Sequence, residues 1–231
     1  MGLDEAGRGA LAGPVVASAV VIRKPGRLRL RFLGGSAGAM RDSKKLSAKK
    51  REEFYQILTK HPWIEWGIGR ASEKVIDRIN ILEATKLAMK RAIANLERKL
   101  ARKASNRLFS EPGKGKSVSR INFLILDGKI KLDLAVSQRS VVKADEKIFS
   151  CMAASIIAKV TRDRLMRRYH QRYPQYDFAQ HKGYATPRHQ EMLKKYGRCD
   201  IHRKSFRINQ WLSLNSAKQN PDKDREDSTF F

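Results

Sequence analysis

The chain is 231 residues long, 41% hydrophobic, with 49 Lys+Arg against 23 Asp+Glu and a net charge of +26. That length buries a real core, with one domain as the default. A basic excess of this size repels itself unless a polyanion shares the surface, so nucleic acid is expected ahead of a solvated surface, an acidic membrane or an acidic partner.

Residues 2–4 read as the end of a strand, and the glycine-flanked arginine of Gly7-Arg8-Gly9 follows two adjacent acids, Asp4 and Glu5. Val15 to Ile22 is β-branched and apolar, as a buried strand is. Residues 23–41 are basic and Gly-rich, a predicted loop. Ser47 is a candidate N-cap for a helix near 48–60 with Phe54, Ile57 and Leu58 inward. Trp63 to Ile68 alternates as a strand does. Ile79 to Leu100 has the period of a long amphipathic helix. Residues 101–120 are basic and rich in Ser and Gly, a predicted insertion with no core of its own. Ile121 to Leu126 reads as a buried strand ending at Asp127-Gly128, and Arg139 to Val142 as a short strand. Asp145 to about Tyr173 is a predicted helix, with a second near 187–196. From Ser213 the chain is polar. The pattern predicts one folded body over 1–212, a mixed α/β sheet with a helical cap, and a frayed tail over 213–231.

Cys151 and Cys199 show no pairing signature, which excludes a disulfide scaffold and fits a reducing compartment. The apolar run Ala10 to Ile22 is too short to span a bilayer and contains Pro14. Acids at positions 4 and 5 spoil a signal peptide, so a cytoplasmic, membrane-free protein is expected.

Asp4, Glu5, Asp127 and Asp145 each sit where a strand ends or a helix begins, which is where ligands bind α/β sheets. Phosphodiester hydrolysis commonly uses two metal ions roughly 3.5–4 Å apart. Several carboxylates without clustered Cys/His suit Mg2+ or Mn2+ better than zinc. Asp4 and Glu5, as strand neighbours, point to opposite faces unless the backbone turns at Glu5. Each acid also has an ordinary reading: a solvated strand end, an Asp-Gly turn at 127, a helix N-cap at 145. His181, His189 and His202 have no zinc-like spacing, so packing or phosphate contact is expected of them.

The motifs together resemble ribonuclease HII. DEAGRG at 4–9 with LAGPVV at 11–16, DSKKL at 42–46, INILEATKLAM at 79–89, ILDG at 125–128, KAD at 143–145, AASIIAKVTRDRLM at 153–166, HKGYATPRH at 181–189 and IHRKSF at 201–206 occur in that family's order. The resemblance implies a ribonuclease H-like fold, a central mixed sheet flanked by helices with a C-terminal helical region. It implies an endonuclease that uses Mg2+ or Mn2+ and cuts RNA in RNA–DNA hybrids. Incision 5′ to a single ribonucleotide in duplex DNA, leaving 3′-hydroxyl and 5′-phosphate ends, is also implied, with roles in ribonucleotide excision repair and primer removal.

The family's catalytic and metal-binding acids fall on Asp4, Glu5, Asp127 and Asp145. Its 2′-hydroxyl- and phosphate-gripping loop falls on Gly7, Arg8 and Gly9, and its deoxyribose-stacking tyrosine on Tyr184. Ser43 and Lys44 fall in its backbone-contacting stretch, and Asn80 on a position tied to the opposite strand. Departures from its pattern are the short lead before Asp4, KAD for KGD, Cys151-Met152 for Ile-Ala, and long basic segments at 23–41 and 101–120. A monomer is expected. Two alternatives stay open: a basic nucleic-acid-binding protein that cuts nothing, and a ribonuclease H-superfamily nuclease acting on DNA.

Overall fold

A computed structural model of the chain describes residues 1–23, 46–110 and 121–206. Five strands form one sheet: β1 (Gly2–Ala6), β2 (Val15–Ile22), β3 (Ile64–Ala71), β4 (Phe123–Asp127) and β5 (Ser137–Val141), in the order β3-β2-β1-β4-β5. The first three run antiparallel to their neighbours, while β1, β4 and β5 run parallel. The sheet is mixed, as expected.

Six α-helices accompany it among the described residues: α1 (Ala48–Lys60), α2 (Glu73–Ser110), α3 (Ala144–Lys147), α4 (Phe149–Arg172), α5 (Phe178–His181) and α6 (Pro187–Tyr196). Alternation along the strands divides the core between the two faces. Leu3, Val15, Ala17, Ala19, Leu124 and Leu126 pack with Ile76, Ala84, Ala88 and Met89 of α2. Val20 and Ile64 pack with Ala153, Ile156 and Ile157 of α4 and with Phe54 and Leu58 of α1. Gly67 and Gly69 let α2 lie directly on β3, because a Cβ at either would overlap the backbone at Ala92 or Ala88. A third apolar cluster joins Leu11 and Ala12 to Tyr176, Phe178, Met192 and Ile201, tying the C-terminal region to the loop after β1.

Several boundaries differ from expectation, each for a local reason. The long helix starts at Glu73 and is broken at Asn80 (φ 64°), whose side-chain oxygen accepts from the Leu82 and Glu83 amides and so caps the helix that continues. That helix runs on to Ser110, through the first half of the predicted 101–120 insertion. Glu65 explains part of this. Its carboxylate is buried on β3 and paired with Lys103 at 2.6 Å and Lys99 at 3.6 Å, which fastens the distal turns. Residues 111–120 and the tail from 207 lie outside the described residues, as does most of 23–41. Ser47 caps α1 by accepting from the Lys50 amide, but Ile57 is exposed where an inward position was expected. The predicted helix from Asp145 is two helices, parted at Ile148, and its N-cap is Lys143 in a left-handed conformation. β3 extends to Ala71, past the predicted Ile68. Among the described residues no helix is long and apolar enough to cross a membrane.

Candidate active site

The parallel register of β1 and β4 pairs Gly2 with Ile125 and Leu3 with Leu126. One step further sets Asp4 beside Asp127. Leu3 and Leu126 point to the α2 side, so Asp4 and Asp127 point the other way, toward α4. Lys143, at φ 60°, then turns the chain after β5 so that Asp145 enters the same space from the first turn of α3. Ligand oxygens of Asp4, Asp127 and Asp145 all lie within 4.8 Å of one another. One Asp127 oxygen also accepts from the Ala144 amide at 2.7 Å, which links the end of β4 to the start of α3.

Glu5 belongs to the same cleft, a cavity of about 510 Å³ lined by Asp4, Glu5, the Gly7–Gly9 loop, Asp127 and Tyr184. The expected turn at Glu5 lies instead at Gly7 (φ 94°), since the strand runs through Ala6. Glu5 reaches Arg8 at 3.2 Å through one oxygen, while its other oxygen is buried without a hydrogen-bond partner.

Burial pushes the Asp4 carboxyl well above its ordinary range, and the neighbouring charges of Glu5 and then Asp127 push it further. Glu5 is raised by burial too, against the pull of Arg8. Carboxylates crowded this closely resist ionising together, and a bound cation reverses that balance. An all-oxygen donor set with an orphaned buried oxygen fits a hard divalent ion.

Two buried arginines shape the loop beside the acids. Arg162 of α4 donates to Pro14 O at 3.0 Å, Ala12 O at 3.1 Å and Lys182 O at 2.9 Å. Arg203 donates to Gly7 O at 2.6 Å, Arg8 O at 2.7 Å and Gly13 O. Burial pulls the Arg203 pKa down to about 9, which leaves it cationic at neutral pH. Carbonyls fastened from inside hold the loop in one shape. A Cβ at Gly7 would collide with the Arg162 guanidinium, whereas one at Gly9 would meet nothing within 4 Å.

Tyr184 follows Gly183, whose own positive φ brings it against Ala12 O. The ring lines the cleft with the Arg162 guanidinium 5.3 Å and the Lys159 ammonium 5.7 Å from its centre. Behind it the histidines pack, as expected: the His181 and His189 rings stack at 4.3 Å, and all three are buried. Their hydrogen bonds fit a single set of neutral tautomers. The Cys199 amide donates to His202 Nδ1 (2.9 Å), His202 Nε2 donates to His189 Nε2 (3.0 Å), and His189 Nδ1 donates to Tyr184 O (2.9 Å). His181 Nδ1 accepts from the Gly183 amide at 3.1 Å. The relay holds the turn that presents Tyr184. Burial pushes His189 down to about 3 and His202 down to about 4, which keeps both neutral.

The structure thus brings together Asp4, Glu5, Asp127, Asp145, Gly7, Arg8, Gly9 and Tyr184. Asn80 is exposed and its side-chain oxygen is engaged in capping α2. Ser43 and Lys44 lie outside the described residues. Patterning passes over Arg51, Ser155 and Lys159, which also line the cleft, and over Arg162 and Arg203 behind it. Arg162 lies in AASIIAKVTRDRLM and Arg203 in IHRKSF, so both motifs that carry the buried arginines were visible, though not which arginine turns inward.

A model of the family described as Ribonuclease HII matches residues 1–209. The chain belongs to the ribonuclease HII family. The ribonuclease HII of Syntrophus aciditrophicus is 42% identical over 207 residues, 90% of this chain and 83% of the relative. That of Acetivibrio thermocellus is 46% identical over 209 residues, 90% of this chain and 69% of the relative. Among solved structures, the ribonuclease HII of Archaeoglobus fulgidus, determined in complex with PCNA, superposes with a TM-score of 0.61 at 27% identity, covering 89% of this chain and 94% of that one. The ribonuclease H2 of Pyrococcus horikoshii superposes with a TM-score of 0.60 at 25% identity, covering 94% and 98%. The fold is ribonuclease H-like, and the chain is a ribonuclease H, an endoribonuclease acting on RNA–DNA hybrids.

Proposed function

We propose that this ribonuclease HII incises duplex DNA on the 5′ side of an embedded ribonucleotide as well as cutting hybrids, leaving 3′-hydroxyl and 5′-phosphate ends. The observation that carries the reading is the convergence of Asp4, Asp127 and Asp145 within 4.8 Å, beside the arginine-fastened Gly7–Gly9 loop and Tyr184. Asp4, Glu5, Asp127 and Asp145 would hold Mg2+ or Mn2+. When bound, such ions supply activation of water and stabilisation of the leaving oxygen.

The protein's own groups set the specificity. A 2′-hydroxyl both donates and accepts, and it marks one nucleotide as RNA. The rigid backbone of Gly7 to Gly9 is suited to test for it, because Gly9 leaves the loop surface open to a close approach. Arg8 offers a guanidinium to a neighbouring phosphate. The flat Tyr184 ring packs against a following sugar that lacks the hydroxyl, and Lys159, held by Asp163 at 2.7 Å, lies beside it. The reading extends to excision of misplaced ribonucleotides and of RNA primers, by a cytoplasmic monomer.

A nicking assay on duplex DNA carrying one ribonucleotide, with and without Mg2+ or Mn2+, tests it. One metal-dependent 5′ incision is expected, abolished by Asp145→Asn with duplex binding retained. Full activity of that variant, or cutting of an all-DNA duplex, would refute the reading.

A further inference from the structure

We propose that a second concavity, on the far side of α4 from the carboxylates, binds the phosphodiester backbone of the substrate duplex where it runs past the catalytic cleft. This rests on the chain acting on a duplex, as read above.

The hollow measures about 620 Å³ and carries Arg70 of β3, Arg91 and Arg98 of α2, and Arg168 of α4, with no acidic side chain in its wall. All four arginines are exposed, and among the described residues none is in an ion pair. Four unneutralised guanidiniums around one concavity repel each other unless an anion joins them, and their forked donors match phosphate oxygens. The hydroxyl of Thr161, in the same wall, is buried without a hydrogen-bond partner.

The hollow lies over β3, an edge strand. Arg91 donates to Arg70 O at 2.7 Å and Asn95 to Ile68 O at 2.5 Å. Those outward carbonyls are therefore taken, which removes the template a docking β-strand would need. What remains is a cationic, hydrogen-bonding concavity suited to a polyanion.

Its position relates it to the reaction. The antiparallel registers align Glu5, Ala17 and Gly69 in one row across three strands. The strand wall of the hollow, Ile68 to Arg70, is thus two strand spacings from Glu5 along this row, about 10 Å. On α4, Ile156 and Lys159 face the acids, while Thr161, Leu165 and Arg168 lie on the opposite side at about 100° per residue. A duplex carries a phosphate on each strand about every 3.4 Å of its axis, so a segment seated on the acids has backbone within this reach.

The test compares Arg98→Gln/Arg168→Gln with Lys194→Gln/Lys195→Gln, an equal loss of charge at exposed positions on α6. Both variants spare every group placed in the catalytic cleft, and melting curves establish that both fold. Binding is read by fluorescence anisotropy on an all-DNA duplex across a salt series. Cleavage is read on a long single-ribonucleotide duplex and on a short one truncated at the cleft.

The arginine variant is expected to lose on the order of tenfold in affinity, with a salt slope shallower by about 2. KM on the long duplex should rise in step with kcat unchanged, and the defect should vanish on the short one. The proposal is overturned if the lysine control loses as much, if the short duplex shows the same defect, or if the hollow takes only inorganic phosphate while duplex affinity is unmoved. Wild-type protein that binds with this signature yet nicks nothing would sink the activity reading and leave the hollow standing.

Discussion

Asp4 is buried and held above the ordinary carboxylate range by desolvation and by Glu5 and Asp127. A carboxyl whose folded pKa exceeds its unfolded value contributes stability at low pH and loses it as pH rises through the folded value. Ionised Asp4 therefore works against the metal-free fold. Metal-free Asp4→Asn should melt no lower than wild type near neutral pH, and should lose the rise in Tm that Mn2+ gives the wild type. A large drop in its metal-free Tm would show Asp4 to be a structural residue.

The two loop glycines make a second contrast. Gly7→Ala forces a side chain onto a positive φ and into Arg162, which together should cost on the order of 2–4 kcal/mol by urea unfolding. Gly9→Ala meets nothing in the protein, so its stability should stay within about 0.5 kcal/mol of wild type. Its nicking rate should nonetheless fall at least about tenfold if a nucleotide backbone occupies that surface. An unimpaired Gly9→Ala enzyme would remove the loop from substrate recognition.

The elements behind Tyr184 set a pH dependence. His189 and His202 have folded pKa values of about 3 and about 4, well below the unfolded imidazole. The unfolded chain takes up protons first, so their contribution is complete above about pH 6.5 and is lost as pH falls toward 4. Protonating either ring sets donor against donor along the Cys199–His202–His189–Tyr184 relay. Unfolding free energy should fall by on the order of 2 kcal/mol per histidine between pH 6.5 and 4.5. A His189→Leu/His202→Phe variant should show a flatter profile, and an unchanged pH slope would mean that the relay does not carry the effect.

Element by element, the sequence pattern was legible where one period ran unbroken. The alternating and apolar runs placed β2, β3 and β4, and Ser47 marked a helix start. Of the four acids read at element ends, Asp4, Asp127 and Asp145 lie together. Breaks were harder to read, because Asn80 and Lys143 adopt positive φ without being glycine, and only tertiary contacts make that tolerable. The distal turns of α2 are fastened in part by Glu65, a residue far away in sequence. Arg162 and Arg203 look like any other members of a basic chain until the loop they fasten is folded against them.

Across the whole molecule the charge of +26 is spread unevenly, and part of it is inward or paired. The remainder acts as a long-range attraction for a polyanion. With several phosphate contacts, duplex affinity should fall at least about a hundredfold between 50 and 200 mM salt, while kcat at saturation changes little. Salt-insensitive binding would mean that the basic surface serves solubility and not substrate capture.

Arg203 grips Gly7 across 196 positions of sequence, and Arg162 grips Ala12 and Pro14 across 150 and 148. The shape of the Gly7–Gly9 loop thus waits on residues as distant as Arg203. A nascent chain still on the ribosome carries Asp4 and Glu5 but has no finished mould beside them. The order of synthesis therefore puts these two carboxylates ahead of the scaffold that shapes the loop beside them.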